Sequence, residues 1–333
     1  MRAPDGVNML PKPSTVTEPM LYRRAERADT AAICGLLGRV FPANPKTDPA
    51  VYRWQYFDNP FSPPSSWLAQ DADGNVVGHA GLFATPGRIH DTPCTIGHAA
   101  DAATAPGWRG RGIYQALSQS RLQHAANQGL PATIIIPNDR SREPATRSGI
   151  VIRHRVRAYV RPKRLPLKGS SPDMVTECTA EQLPHVPLDL SLATDRGRNG
   201  VHRCGEWIRW RYAGHPTRVF RYFFCGEPTA ATAMAITAVV KRGRRRLLYV
   251  MEVLAHSPAG AATVLRAAIS QHPRLPTVVV AIPHSLAAQA ALRTGFAPLP
   301  HVLEPQPQYL GLYHASLGRS GPWMMSWGDH DHL

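Results

Sequence analysis

The stretch Thr95–Leu117, TIGHAADAATAPGWRGRGIYQAL, decides the fold that this sequence predicts. Its first ten residues are typical of a β-strand, a Pro-containing turn follows, and an apolar helical pattern begins at Ile113. The turn carries Arg109 and Arg111, each followed by a glycine that leaves backbone N–H groups uncovered. Because a helix N-terminus has partial positive charge, a strand, such a turn and a helix in this order indicate a pyrophosphate site.

Two common phosphate-binding motifs do not fit this turn. A Walker A loop has the pattern G-x-x-x-x-G-K-[ST], and a dinucleotide fingerprint has G-x-G-x-x-G. Here Gly110-x-Gly112 is followed by Ile113, Tyr114 and Gln115. The turn is therefore either an anion site of a different class or a solvated surface turn.

Helical and strand patterns surround this stretch in the first half of the chain. The periodicities predict helices at Thr30–Val40 and Ile113–Asn127, and strands at Ser66–Gln70, Val76–Phe83, Thr95–Thr104, Ala132–Pro137 and Arg153–Val160. The last of these strands alternates in the manner of an edge strand. The order predicts an α/β fold of the layered α+β kind, with a mixed, mainly antiparallel sheet flanked by helices.

Three landmarks occur twice, in the same order. The motif R-W-x-Y-x-x-x-P, the turn that opens a helix and a short strand ending in Pro appear at residues 53–60, 106–117 and 134–137, and again at 209–216, 258–269 and 280–283. Such repetition predicts two copies of one fold. The aromatic pair of the motif could line a substrate cleft or stack bases, but its presence in both copies favours a structural role.

The repeat predicts how the chain divides into domains. Residues 163–187 are expected to be a linker, because the run RPKRLPLKGSSPD is rich in Pro, Lys, Gly and Ser and has no periodicity. We expect a flexible segment at residues 1–19, one domain at 20–162 and a second domain at 188–333.

The composition fits two domains and a negatively charged partner. Of 333 residues, 43% are hydrophobic and 18% are charged, which excludes a largely disordered protein. Lys and Arg outnumber Asp and Glu by 38 to 23, and only five of the 38 are Lys. The net charge of +15 favours a nucleic acid, an anionic membrane surface or a phosphorylated small molecule, although codon composition alone could also produce the Arg excess.

The cysteine and hydropathy patterns predict the setting. The five cysteines form no C-x-x-C pair, so we expect reduced thiols in the cytoplasm, with neither a disulfide framework nor a metal site. The N-terminus lacks the apolar core of a secretory signal, and no apolar run approaches the roughly 18 residues of a membrane span. We expect a soluble protein with a frayed polar tail at its His-rich end, residues 328–332.

The run Arg109–Tyr114 resembles the R/Q-x-x-G-x-G/A signature of the GNAT superfamily of acyl-CoA-dependent N-acyltransferases. Tyr114 stands where Gly or Ala is usual. A second marker of the family, N-x(10)-G-F, is matched in part by Asn138 and Gly149, and in the second half by residues 284–296. The resemblance covers most of each half and indicates a tandem GNAT protein.

The resemblance implies acetyl-CoA, or another acyl-CoA, as a co-substrate that binds in the first half without a metal. The implied binding residues are those of the loop and its neighbours: Ala102, Thr104, Arg109, Gly110, Arg111, Gly112, Ile113, Tyr114 and Asn138. The second half has AGAA at residues 259–262 in place of the Gly/Arg loop. It is therefore expected to bind no cofactor, and instead to shape the substrate cleft or stabilise the pair.

Direct acyl transfer needs a base that takes a proton from the amine. The candidates are Asp101 and His98 on the strand Thr95–Thr104. They are three residues apart, so we expect them on opposite faces of the sheet, with only one facing the substrate. Family members often have a tyrosine as proton donor seven residues after the Asn, but Ala145 stands at that position.

Three functions remain open from the sequence. The first is transfer of an acetyl group to an amine on a small molecule. The second takes its acyl group from an aminoacyl-tRNA, for which the charge of +15 is suited. The third is a non-catalytic nucleic-acid-binding or scaffold protein on a GNAT frame, which the intact Gly/Arg loop disfavours.

Overall fold

The fold is given by a computed structural model of the chain. It describes residues 19–42, 45–61, 63, 65–163, 165, 167, 175–185, 197–304, 306–313 and 321–329. The predicted flexible segment before Pro19, much of the predicted linker and most of the His-rich end therefore lie outside the described residues.

The described part of the first half contains six strands and four helices. The strands are β1 (Leu21–Arg24), β2 (Ser66–Gln70), β3 (Val76–Ile89), β4 (Thr92–Thr104), β5 (Thr133–Ile135) and β6 (Val151–Arg161). The helices are α1 (Thr30–Val40), α2 (Pro49–Tyr56), α3 (Ile113–Asn127) and α4 (Asp139–Arg147). Both predicted helices are confirmed at both ends, whereas β3 and β4 are longer than predicted.

The second half continues with further strands and three helices in its described part. The strands are β7 (Val175–Cys178), β8 (Gly200–Val201), β9 (Arg221–Cys225), β10 (Ala233–Arg242), β11 (Arg245–Ala255), β12 (Thr277–Ala281), β13 (Ala297–Pro298) and β14 (Gln308–Tyr313). The helices are α5 (Gly205–Ile208), α6 (Pro258–Ser270) and α7 (Leu286–Arg293), and α5 runs on into a π-helical turn at Arg209–Ala213. β7 falls inside the predicted linker and pairs with β9, so this part of the linker is a strand of the sheet.

The strands form one continuous series. Its order is β1-β2-β3-β4-β5-β14-β6-β12-β11-β10-β9-β7, with β8 beside β3 and β13 beside β6. Most neighbours are antiparallel, and two pairs, β4–β5 and β11–β12, are parallel. The protein therefore has the predicted α/β fold with a mixed, mainly antiparallel sheet flanked by helices.

The two halves exchange strands at the centre of this series. β14 comes from the end of the chain but lies between β5 and β6, with Gly311 opposite Ile135. The second part of β6, from Arg157 to Arg161, pairs with β12 of the second half. β6 therefore has neighbours on both sides. The expectation of an edge strand was wrong, because both partner strands come from the second half of the chain.

Helices cover both faces of the sheet in the first half. A side chain at Gly81 would collide with Tyr56 of α2, whereas one at Gly78 would collide with Ile113 and Leu117 of α3. Because side chains alternate between the two faces of a strand, α2 and α3 lie on opposite faces of β3. Buried apolar side chains from these layers form the core of this half.

The second half repeats this layering. α6 and α7 pack against β10, β11 and β12 and form a second apolar cluster with them. Among the residues that the structure describes, no helix is long and apolar enough to cross a membrane.

Candidate functional site

A wedge opens between β4 and β5. These two strands pair in parallel only as far as Ala99 and Ile135. β4 then continues for five more residues to Thr104, whereas β5 ends. Beyond Ala99, β4 therefore keeps β3 on one side and faces an opening on the other.

Backbone groups of β4 point into this wedge. The N–H of Ala105 donates to the carbonyl of Val77 on β3. Because the hydrogen-bonding direction alternates along a strand, the backbone groups of Ala102 and Thr104 point away from β3. In agreement, Arg109 Nε donates to the carbonyl oxygen of Thr104 at 3.4 Å. The structure thus brings two of the predicted binding residues to the mouth of the wedge beside the loop.

The Gly/Arg loop directly follows β4. After a single turn at Pro106–Trp108, the chain passes through Gly110 with φ +78° and Gly112 with φ +77°. This left-handed conformation is readily adopted by glycine and strained for other residues. A Cβ at either position would meet open space, so the backbone, not packing, requires glycine here.

The N-terminus of α3 ends at this loop without a cap. No side chain accepts from its first N–H groups, and the first bond within the helix runs from Ala116 N–H to the Gly112 carbonyl. The N–H groups of the first turn therefore point outward, as in helix termini that bind anions. Arg109 and Arg111 are both exposed beside them, and the Arg111 guanidinium lies 4.5 Å from the Trp108 ring centre. Uncapped backbone donors and two exposed cations thus belong to one short turn.

Three other predicted binding residues have structural contacts. Ile113 is buried against β3, so it contributes its backbone to the loop and its side chain to the core. Tyr114 is half-buried, and its side chain opposes the lowering of the Arg121 pKa that burial causes on the same helix. Asn138, at the end of β5, caps α4 by accepting from the N–H groups of Arg140 and Ser141 at 3.0 and 3.1 Å. A role in binding stays a prediction for each.

Asp101 lies at the start of the wedge within a buried polar cluster. Its Oδ2 accepts from Lys46 Nζ at 2.7 Å and from Tyr56 Oη at 2.6 Å. The Lys46 side chain is 1% exposed and that of Asp101 is 0% exposed. This triad of Lys46, Asp101 and Tyr56 joins the chain before α2, the end of α2 and β4.

His98 lies on the same face of β4 as Asp101. Its ring stacks on Phe83 at 4.6 Å, and Phe83 in turn contacts Tyr56, the partner of Asp101. The expectation of opposite faces is wrong, because a β-bulge shifts the register between β3 and β4 and Asp101 adopts φ +50°. An extra residue at a bulge reverses the alternation of side chains.

A buried histidine extends the cluster behind Asp101. His79 Nδ1 lies 2.8 Å from the Asp101 carbonyl oxygen, and its Nε2 lies 2.9 Å from Tyr52 Oη. A carbonyl can only accept, so Nδ1 carries the proton and Nε2 accepts from Tyr52 when the ring is neutral. Burial lowers the pKa of His79 to about 4 and favours this neutral form.

The second half contains an equivalent triad. Tyr212 Oη donates to Glu252 Oε1 at 2.8 Å, and Arg203 Nε lies 3.4 Å from Glu252 Oε2. Tyr56 and Tyr212 are the tyrosines of the repeated R-W-x-Y motif, and each meets a carboxylate, Asp101 on β4 and Glu252 on β11. The repeated motif is the sequence signal for the tyrosine of each triad. The cations, Lys46 and Arg203, lie outside the motif and were not identified from the sequence.

The tryptophans of the same motif join the halves. Trp54 and Trp210 stack with ring centres 4.8 Å apart and planes 21° apart, and both are buried. The Arg211 guanidinium lies 5.5 Å from the Trp54 ring centre. The structural role that the sequence favours for this motif agrees with these contacts.

The end of the chain covers the second-half triad. β11 and β12 pair only as far as Val250 and Val279. The turn at Trp327–Asp329 contacts both strands, and Trp327 lies 4.9 Å from the Tyr249 ring. Ser326 Oγ also donates to Glu252 Oε1 at 2.7 Å. The corresponding place in the second half is thus occupied by the protein itself.

The chain offers no metal cluster in its described part, where no three His, Cys, Asp or Glu side chains are grouped to hold an ion. The five cysteines are free thiols.

Comparisons with known proteins agree with this geometry. Residues 21–147 match the family model described as the acetyltransferase (GNAT) domain. No curated protein sequence matches the chain.

Solved structures resemble nearly the whole described fold. A GCN5-related N-acetyltransferase from Anabaena variabilis has a TM-score of 0.66 at 13% identity, over 88% of this chain and 72% of that one. A GCN5-related N-acetyltransferase from Kribbella flavida has a TM-score of 0.59 at 14% identity, over 89% of this chain and 71% of that one. A protein from Pyrococcus horikoshii has a TM-score of 0.62 at 15% identity, over 92% of this chain and 93% of that one. At these identities the similarity establishes the fold, and the family match identifies residues 21–147 as a GNAT acetyltransferase domain.

Proposed function

We propose that the protein transfers an acyl group, most simply acetyl, from its coenzyme A thioester to an amine on a small molecule, in the first half of the chain. The observation that carries this proposal is the position of the wedge between β4 and β5 directly beside the uncapped N-terminus of α3. An extended thioester with a pyrophosphate at one end matches these two features together.

The residues of the first half fit such a molecule. Backbone N–H groups of the loop from Gly110 to Tyr114, with Arg109 and Arg111, would hold the pyrophosphate. The backbone groups of Ala102 and Thr104 would hold the arm of the cofactor in the wedge. When bound, the acyl-CoA would supply the activated acyl group.

We propose Asp101, rather than His98, as the group that receives the proton of the amine. His98 lies opposite Ile134, where β4 and β5 are still paired, whereas Asp101 lies just beyond the last pair, at the start of the wedge. Lys46 and Tyr56 hold the carboxylate there. Because this carboxylate is enclosed, the proposal requires that the amine reach it through the wedge.

We further propose that the second half is a GNAT copy without a cofactor. The N-terminus of α6 differs from that of α3, because Ser257 Oγ accepts from the Gly260 N–H at 3.1 Å and caps the helix. Its loop has no arginine, and Trp327–Asp329 contacts β11 and β12. The five free thiols support a cytoplasmic setting.

Thermal unfolding of the full chain with acetyl-CoA, coenzyme A or tRNA, each at two salt concentrations, tests this function. A ligand at 100 times its Kd should stabilise the chain by about 2.7 kcal/mol. We expect stabilisation by both coenzyme A species. Stabilisation by tRNA alone would instead support the aminoacyl-tRNA donor, and no shift with either coenzyme A species would contradict the proposal.

A further inference from the structure

A basic cavity lies in the second half, away from the wedge between β11 and β12. Its volume is about 560 Å³, and it lies where β9 begins, along β10, and beside the end of α6. Its polar and charged lining residues are Thr217, Arg218, Arg221, Thr237, Lys241, Arg246 and His272. Arg246 is near the start of β11, whereas that wedge opens only after Val250, so the two features are separate.

The cavity carries positive charge without lining carboxylates. Of its cations, Arg221 forms an ion pair with Glu177 at 3.1 Å, at the exposed rim. The described residues place no carboxylate within ion-pair distance of Arg218, Lys241 or Arg246. Cations concentrated in a concave surface attract anions more strongly than isolated surface charges do.

Burial and nearby cations lower the pKa of two groups that line the cavity. Arg218 is half-buried, and burial together with the nearby Arg242 and Arg211 lowers its pKa to about 10. The pKa of His272 is lowered by burial and by Arg221 and Arg246, against an opposing effect of Glu177. An anion in the cavity would relieve this repulsion.

A buried threonine and an unpaired strand edge also border the cavity. Thr237 is 0% exposed and lines the cavity, and its hydroxyl has no hydrogen-bond partner in the described part of the chain. β9 begins at Arg221, opposite Thr237, so the next residues of β10 pair with β11 alone. The N–H groups of an open strand edge are donors that an oxyanion satisfies.

We propose that this cavity binds the phosphate groups of a small phosphorylated molecule. Its volume lies within the ~300–1,000 Å³ typical of small-molecule sites, and bidentate arginines suit phosphate oxygens. The tip of the β10–β11 hairpin, residues 241–246, has five cations in six positions, of which Lys241 and Arg246 line the cavity. The site does not depend on acyl-CoA binding in the first half.

Isothermal titration of the full chain with inorganic pyrophosphate tests this site. The titration uses the R109Q/R111Q background, which removes the first-half loop as a competing anion site. We expect one pyrophosphate per chain there, and at least tenfold weaker binding when R218Q/R246Q is added. Because the two arginines repel their neighbours, R218Q/R246Q should unfold at no lower temperature than its parent.

A matched control is R244Q/R245Q, which removes the same charge from the hairpin tip outside the cavity lining. It should weaken pyrophosphate binding less than threefold. Unchanged binding in R218Q/R246Q would overturn the proposal. So would an equal loss in R244Q/R245Q accompanied by tighter, tip-dependent binding of tRNA, which would indicate a nucleic-acid surface.

Discussion

Replacement of Asp101 by Asn tests the buried triad of the first half. Lys46 Nζ lies 2.7 Å from Asp101 Oδ2, and the two side chains are 1% and 0% exposed. Asn keeps the shape and can still accept from Tyr56, but it removes the carboxylate that pairs with the buried Lys46 ammonium. Breaking one side of a buried ion pair costs about 3–5 kcal/mol, so D101N should lower the free energy of unfolding by that amount.

Urea unfolding at pH 7 measures this loss, and two controls separate its causes. E177Q removes the carboxylate of the exposed Arg221 pair, 3.1 Å apart, and should cost less than about 1 kcal/mol. K46M/D101N should cost less than the two single changes together, because the double variant removes both charges of the pair at once. A loss below 1 kcal/mol in D101N, or strict additivity in the double variant, would refute the reasoning.

The same variant also tests the proposed role of Asp101 in proton transfer. E252Q breaks the equivalent triad of the second half and is the matched control for lost stability. Both variants are compared at a temperature where both are folded. D101N should lose acyl transfer and the pH dependence of the transfer rate, whereas E252Q should keep the rate and its pH dependence. Equal activity losses would assign Asp101 a structural role only.

Three further outcomes are expected. Folding lowers the pKa of His79 from 6.5 to about 4, so between these pH values the unfolded chain binds a proton that the folded chain does not. The free energy of unfolding therefore falls as the pH drops through 6.5. Urea unfolding should show a loss of about 2 kcal/mol between pH 7 and pH 5, and H79Q should not show it. Gly112 and Gly129 both adopt a left-handed conformation, at φ +77° and +67°, where a Cβ would meet open space. Replacing either with Ala should lower the free energy of unfolding by about 1–2 kcal/mol through backbone strain. Titration should find weaker coenzyme A binding only in G112A. Trp327→Ala should destabilise the protein by about 3–5 kcal/mol in urea unfolding, and a loss below 1 kcal/mol would argue against packing of the C-terminal turn.

The sequence predicted the elements whose signals are local. The helix Ile113–Asn127, its glycine-rich entry and the strand before it follow from periodicity and turn chemistry over about thirty residues. The repeated R-W-x-Y motif likewise predicts a second copy of this arrangement from the sequence alone. Such features depend on neighbours in the chain, which the sequence displays directly.

The remaining features depend on residues far apart in the chain. β14 inserts beside β5 although more than 170 residues separate Ile135 from Gln308, and no local pattern signals that pairing. Lys46 meets Asp101 across 55 residues, in a segment without a motif. The bulge that turns Asp101 toward His98's face breaks the alternation on which a strand prediction rests.

Titration of the full chain with coenzyme A tests the central proposal most directly. R109Q/R111Q removes two exposed cations at the loop, and R39Q/R293Q removes two exposed cations from α1 and α7 as a charge-matched control. We predict that one coenzyme A binds per chain. Binding should be about 10- to 100-fold weaker in R109Q/R111Q, because each charged contact contributes about 1.5–3 kcal/mol when fully formed. The affinity of the control R39Q/R293Q should change less than twofold. Two equivalent sites per chain, or unchanged affinity in R109Q/R111Q, would contradict the assignment of acyl-CoA to the first half.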